Sequence, residues 1–534
     1  MLPPHLTVLQ TSARRFGPAP AFRTPRLDAD SDFVESWDWI SYEQFYQDVE
    51  LSAKHWTQTL SRKGIPQRSV VGMWLSGFTY MDVLHIYGVS RAGYIPQMFS
   101  LRLPNPTVIF ELLHKAQAKA LICDDKFTPI LDNCPVPYFL ATRREAMVDT
   151  EQELPELCQG SADDTAFIFH TSGSTSGSPK LVPCNNRWIN TVIHKSRQIS
   201  KPRDPNRQDV TVWMGSMCHI AQSFMFIGSL QYGACVVQPT TLSFSSDELA
   251  SMIQHCGLNR LNQFATFLTN HFRYARSDPK LLGMLQGLDD VLYSGLPLSQ
   301  EEENWARRNE VKLRNLFGST ECAAMLMSSG DSGRTGNLLT PLDGVVYNFV
   351  PISQPASPGG HQSTARLFEL VIMAESPDCP DVSLRHADGN FHTGDLFQEA
   401  APGMYLFRGR DDDWIKTENS LRCDTKAIED NVRMTCGDLI SECVVVGSRR
   451  PSPAMFVEPA NAQMNHDELK KSIIRKTRHF HSRRYMHERI TASDMIVVVP
   501  PGTLPRTATK GNIRRKAVEE AYKPLLDQIY GRVL

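Results

Sequence analysis

The sequence predicts an α/β protein: a large N-terminal body of several subdomains, built from mixed sheets and helices, and a smaller α/β C-terminal domain. Three observations predict it. The chain is 534 residues long, more than one hydrophobic core organises, so several subdomains are expected. Short apolar, β-branched runs alternate with helix-period segments from Phe22 to about Asp163. The same alternation resumes on a smaller scale after an acidic turn at Asp411-Asp412-Asp413.

In chain order, residues 43–60 carry apolar side chains at helical spacing behind a Ser41 cap. Residues 70–75 read as a strand, 80–92 as a helix ending at Gly93, and 94–96 as the next extended piece. A strand–helix–strand order of this kind predicts parallel strands joined by crossover helices. Residues 166–169 are a buried strand, 188–199 a helix, 210–214 a strand, 224–230 a helix and 234–237 a strand. Two further strands, 288–293 and 313–317, each end in a turn of small residues, Ser294-Gly295 and Gly318-Ser319. Ligands of open α/β sheets gather at such strand ends. Residues 404–407 form another strand. The C-terminal domain then reads as helix 426–434, strands 442–446 and 455–458, helix 467–480 and strand 495–499.

The most informative stretch comes directly after the strand 166–169. Residues 171–180, TSGSTSGSPK, hold two Gly, two Thr, four Ser, one Pro and one Lys. Hydroxyls and backbone N–H groups on a chain free to adopt left-handed conformations form a cradle for polyphosphate, and Lys180 adds a positive charge. The spacing is not that of a Walker loop, because Ser178-Pro179 separates Gly177 from Lys180. A Ser/Gly linker is the alternative, but linkers rarely sit between a buried strand and an apolar Leu181-Val182.

This loop resembles the phosphate-binding motif of the adenylate-forming superfamily: acyl-CoA synthetases, luciferases and peptide-synthetase adenylation domains. The matches are Thr171, Ser172, Gly173, Ser174, Thr175, Gly177, Pro179 and Lys180, with Ser176 added and Leu181 in place of a Gly. Further landmarks come in the superfamily's order. Phe317-Gly318-Ser319-Thr320-Glu321 is similar to its YGxTE motif. The resemblance implies that Phe317 flanks adenine, Thr320 reaches the α-phosphate or carboxylate, and Glu321 holds Mg²⁺. Thr393-Gly394-Asp395 matches the TGD motif, whose Asp takes the ribose hydroxyls, and Arg410 is implied to join it there. Asp412 occupies the hinge position, and Arg422 is implied to contact phosphate. The catalytic lysine of PxTxxGKxxR is implied at Lys510, one place earlier than usual because Lys510-Gly511 stands where Gly-Lys is expected. Lys516 is the other lysine of that segment, expected on the next helix. The resemblance puts an acyl-pocket wall at 210–230, with Trp213, His219 and Phe224 as pocket residues and no proton-transfer role for His219.

Together these features imply a body at 1–410 and a mobile lid at 411–534. The reading is most similar to fungal stand-alone acyl-CoA-ligase-like AMP-binding enzymes. A carboxylic acid would react with ATP, aided by Mg²⁺, to an acyl-adenylate and then pass to a thiol, most simply CoA, with a role in secondary metabolism. A separate carrier protein is the alternative acceptor, and a degenerate nucleotide-binding protein the alternative class. No Asp or Glu lies between Val210 and Leu242. A buried ammonium there would lack a partner, which argues against an α-amino acid substrate.

Composition excludes other classes. A net charge of −2 and 21% charged residues offer no basic surface for nucleic acid. No run reaches the roughly 20 apolar residues of a membrane span. Twelve Cys without paired spacing point to reduced thiols and, with no signal peptide in view, to the cytosol.

Overall fold

The computed structural model describes every residue except 1, 29–33, 100–104, 148–152, 155, 158–159, 172–179, 296, 332, 334, 353–366, 412–413, 417, 419–421, 483, 485, 507–512 and 532–534. For residues 416, 422 and 486 only the backbone is described.

The body holds two sheets. In the six-stranded sheet, Tyr138–Leu140, Ala120–Cys123, Val70–Trp74, Ile95–Met98 and Thr165–His170 run parallel, and Leu181–Asn185 folds back antiparallel on the last. The expected parallel crossovers are present. Helix Tyr42–Ser61 begins where expected, with Ser41 Oγ accepting the Gln44 N–H at 3.1 Å. A capping box at Thr79 and Asp82 starts helix Tyr80–Arg91.

The second sheet has thirteen described strands. From Pro20–Leu27 through Cys235–Val237, Val210–Val212, Arg260–Phe264 and Asp290–Ser294 to Leu313–Ser319 it is parallel. Beyond Leu313–Ser319 it turns antiparallel, through Ala323–Ser328 and Leu339–Pro341 to Met404–Arg410 and Phe391–Ala401. One continuous core fills the space between the sheets, with Phe22, Trp56, Trp213 and Phe226 fully buried.

Most elements shift by a few residues at their ends, strand 404–407 for instance running on to Arg410, and three boundaries differ for a clear local reason. The strand at 210–214 ends at Val212, because Gln222 Oε1 accepts the Met214 and Gly215 N–H groups at 2.9 and 3.2 Å and removes them from the ladder. The helix at 224–230 is longer, Ile220–Tyr232, because His219 Nδ1 accepts the Ala221 N–H at 3.3 Å and caps it. The strand at 313–317 runs to Ser319 and returns as Ala323–Ser328, so Glu321 sits in a hairpin turn and not at a helix start.

The C-terminal domain has its own core, from Ile415 to Tyr530, separate from those of the body. Hairpin Trp414–Lys416/Arg422–Asp424 leads into helix Thr425–Cys436, capped by Asp424 Oδ1 on the Ala427 N–H at 2.9 Å. Next comes the sheet of Ile440–Val446, Ala454–Pro459 and Ile496–Val498, packed by helices His466–Ser482 and Arg515–Ala521. Residues 411–413 alone connect Arg410 to Trp414, whose indole N–H donates to the Arg408 carbonyl at 3.2 Å.

Candidate active site

A cleft of about 900 Å³ separates body and C-terminal domain, and several of the expected site residues line it. On the body side it takes Gly295, Phe317, Gly318, Ser319, Asp395 and Arg410. On the other side it takes Arg506, Ile513, Arg514 and Lys516.

Asp395 and Arg410 face each other because their strands pair them in register. The guanidinium Nη1 lies 3.3 Å from Asp395 Oδ1 and donates to the Thr393 carbonyl at 3.2 Å. Thr393 Oγ1 donates to the Leu370 carbonyl at 2.8 Å and accepts the Asp395 N–H at 3.0 Å. The carboxylate is therefore held from its own backbone outward. Gly394 adopts φ 69°, and a Cβ there would approach Arg410 Nη2 to 3.3 Å, so the turn demands glycine.

Phe317 packs edge-on to Phe397 and against Phe407, each centroid 5.1 Å away, and presents an apolar wall to the cleft. The turn after it is tight. Gly318 lies so near the returning strand that a Cβ would stand 2.3 Å from the Ala323 carbonyl, and Ala323 itself has φ 56°. Ser319 Oγ accepts the Cys322 N–H at 3.2 Å. Thr320 and Glu321 are half-buried at its tip.

Among the described residues no side chain donates a hydrogen bond to the Glu321 carboxylate, and no three His, Cys, Asp or Glu residues gather as a metal cage. One uncommitted carboxylate fits Mg²⁺, which binds through one or two carboxylates and completes its shell with substrate phosphates and water.

Thr171 and Lys180 close the neck of the Gly/Ser loop: the Thr171 N–H donates to the Lys180 carbonyl at 2.9 Å, and the Lys180 N–H to Thr171 Oγ1 at 3.2 Å. Ser172, Gly173, Ser174, Thr175 and Gly177 lie outside the described residues, as do Asp412 and Lys510. Arg422 is in strand Arg422–Asp424, its side chain not described. The ends of the Lys510 segment are described: Arg506 and Ile513 form an antiparallel bridge, and the Arg514 N–H donates to the Pro505 carbonyl at 2.8 Å. Glu458 anchors this strap through Arg506 at 2.7 Å. Lys516 lies on helix Arg515–Ala521, as expected, and also lines the cleft.

The residues expected in the pocket separate. Phe224, with Met217 and Ile220, lines an apolar cavity of about 20 Å³. Trp213 is fully buried behind it, near-parallel to Phe226 at 6.4 Å, and His219 caps the helix. The thiols beside the Glu321 turn are poor nucleophiles. Burial, then the carboxylates of Asp381 and Glu321, push the Cys184 thiol well above its ordinary range; burial, then Asp378, does the same to Cys322.

Arg506, Arg514, Arg515 and Lys516 stand out in the sequence as a basic cluster, but nothing there singles out Lys426 and Arg433, which the C-terminal domain also turns to the cleft. The two groups lie apart along the chain, and only the fold collects them.

A mixed two-sheet body, a smaller α/β domain across a cleft, and nucleotide-type motifs converging there define an adenylate-forming enzyme. The chain belongs to the AMP-binding enzyme family: that family's profile matches residues 9–347, and the profile of the AMP-binding enzyme C-terminal domain matches 412–534. It is 36% identical over 515 residues to the AMP-binding domain-containing enzyme iboA of Amanita muscaria, covering 94% of this chain and 98% of that one. It is 22% identical over 494 residues to the adenylate-forming reductase Nps11 of Serpula lacrymans, covering 84% of this chain and 43% of that protein.

Among solved structures, the fold is similar to an o-succinylbenzoate CoA synthetase from Bacillus subtilis in complex with ATP and magnesium ion. The TM-score is 0.73 at 16% identity, over 96% and 99% of the two chains. It is also similar to the anthranilate CoA ligase AuaEII in complex with anthranoyl-AMP, with TM-score 0.71 at 17% identity over 97% and 96%.

Proposed function

We propose that this enzyme activates a free carboxylic acid with ATP, releases pyrophosphate, and transfers the acyl group from the adenylate to CoA. The observation that carries the reading is convergence. Asp395–Arg410, the Phe317–Ser319 turn and the Arg506–Ile513 strap border one cleft, although 196 positions separate the first and last of these residues, Phe317 and Ile513.

A carboxylate is a poor acylating agent because its leaving group would be oxide. Attack on the α-phosphorus replaces oxide by AMP. In this reading Asp395 and Arg410 take the ribose, Phe317 flanks the base with Ser294, Gly295, Gly318 and Ser319 beside it, and Thr320 orients the α-phosphate or carboxylate. Residues 171–180, with Thr171, Ser172, Gly173, Ser174, Thr175, Gly177 and Lys180, cradle the polyphosphate. Lys510 and Arg422 meet charge developing on the phosphate oxygens, where a preorganised donor is worth about 10²–10³ in rate. Glu321 would hold Mg²⁺, which supplies charge neutralisation on the phosphates. Phe224 borders the acyl group with Trp213 supporting it from behind and His219 fixing the segment. The body comprises 1–410 and the lid 411–534, pivoting at Asp412.

The acceptor is proposed as an external thiol, because Cys184 and Cys322 are buried and held protonated. A role in secondary metabolism is part of the same proposal. Carboxylate-dependent exchange of pyrophosphate into ATP across a panel of acids tests the first half, and no exchange with any acid would return the protein to nucleotide binding alone. Mass spectrometry after adding CoA, or separately a phosphopantetheinylated carrier protein, tests the second. Acyl-carrier without acyl-CoA would overturn the CoA assignment and leave adenylation intact.

A further inference from the structure

Lys195 is fully buried and forms an ion pair with the equally buried Asp378, Nζ to Oδ2 at 2.8 Å. Charges are rarely sequestered so completely unless hydrogen bonds satisfy them on every side, and the mechanism above uses neither residue. The partners show what the pair holds. Lys195 Nζ also donates to the Cys322 carbonyl at 2.6 Å. Asp378 accepts from Ser376 Oγ at 2.6 Å and from the Tyr347 hydroxyl.

Seven residues earlier on the same helix, two turns and so on the same face, the Trp188 indole donates to the Glu321 carbonyl at 3.1 Å. One helix face thus grips two consecutive carbonyls, those of Glu321 and Cys322. The hairpin between them and the returning strand needs such support, because it contains Ala323 at φ 56° and the close Gly318–Ala323 approach. A residue in that region persists only where its surroundings over-determine it.

The helix, Asn186–Ser200, starts directly after strand Leu181–Asn185, and Asn185 caps it by accepting the Trp188 N–H at 2.9 Å. Only seven residues separate Lys180, at the neck of the Gly/Ser loop, from Trp188. The helix is therefore tied to the phosphate loop at one end and to the Glu321 turn along its side.

We propose that Lys195 is a positioning residue: paired with Asp378 and aided by Trp188, it fixes the Thr320–Glu321 turn relative to the phosphate loop so that Glu321 faces the metal–polyphosphate. This rests on the reading of Glu321 as the metal-facing carboxylate. It acts through Glu321 and touches no substrate.

The test is calorimetric. Affinities for ATP with and without Mg²⁺, and for AMP, are measured in the wild type, in Glu321→Gln, and in the charge-neutral pair Lys195→Met/Asp378→Asn. The pair avoids leaving one buried charge unmatched. The Mg²⁺-dependent gain in ATP affinity is expected to fall about tenfold in both variants. AMP affinity should stay within about twofold, because the ribose and base contacts are elsewhere. Adding Lys195→Met/Asp378→Asn to Glu321→Gln should cost no further Mg²⁺ dependence. If the paired variant does not fold, Trp188→Phe removes only the indole N–H and should show the same selective, smaller loss.

A folded variant that keeps the wild-type Mg²⁺ gain overturns the proposal, as does one that loses AMP and ATP affinity in equal proportion. A wild type without any Mg²⁺ gain overturns it too. Failure of the adenylation reading shows separately, as absent carboxylate-dependent exchange in the wild type.

Discussion

Asp395 meets Arg410 across a strand pair and donates its backbone N–H to Thr393 Oγ1, so its carboxylate is set before any ligand arrives. Asp395→Ala should raise the KM for ATP in pyrophosphate exchange with kcat little changed, since a ribose contact serves ground and transition states alike. Unchanged ATP affinity by calorimetry would remove Asp395 from the nucleotide site. Lys510→Ala should behave oppositely, with exchange falling by at least about 10² while ATP binding persists. Near-normal exchange would shift attention to Lys516, which also faces the cleft. The sequence pointed to Asp395 and Arg410, which the structure pairs across two strands, whereas Lys510 lies outside the described residues. Lys195 was not legible. Its helix was expected, but a lysine on a helix reads as solvated, and only its place seven residues after Trp188, on the apolar face with Val192 and Ile199, hinted at burial.

Among the elements, the hairpin of Leu313–Ser319 and Ala323–Ser328 is the most constrained piece of the cleft. Gly318→Ala would drive a Cβ to 2.3 Å from the Ala323 carbonyl. It should destabilise the body by about 1–3 kcal/mol and depress exchange by more than that loss of folded protein explains. Urea unfolding alongside exchange kinetics separates the two. Here the sequence was legible in part. The strand 313–317 and the turn after it were readable, whereas a helix start with Glu321 near its positive end was the alternative for the segment that follows. By intrinsic propensity the Ala-Ala-Met-Leu-Met run at 323–327 favours helix. Pairing to strand Leu339–Pro341 decides for β, and no local signal announces that partner. The helix beginning at Ile220 was missed at its start for a similar reason, since a histidine cap is uncommon.

At the scale of the whole molecule, body and C-terminal domain have separate cores, and both bury histidines: His5, His85 and His271 in the body, His481 in the C-terminal domain. Burial lowers His5 to about 3, and His85, His271 and His481 to about 4. Near pH 6.5 these imidazoles take up protons when unfolded but not when folded. At these four positions the unfolded chain therefore binds more protons between about pH 6.5 and 4, and their contribution to stability falls as pH drops through that window, whereas His392, raised by its hydrogen bond to Asp388, contributes with the opposite sign. Each such group contributes on the order of 3 kcal/mol across the whole window. Guanidinium unfolding at pH 7, 6 and 5 should show falling midpoints, in two transitions if the cores melt independently. Midpoints constant across those values would contradict the burial of these rings.

The shortness of the join at 411–413 has a further consequence. Four peptide steps from Arg410 to Trp414 reach at most about 14 Å, so the C-terminal domain is leashed beside the Asp395–Arg410 pair of the cleft. The Trp414 indole on the Arg408 carbonyl shortens the leash further.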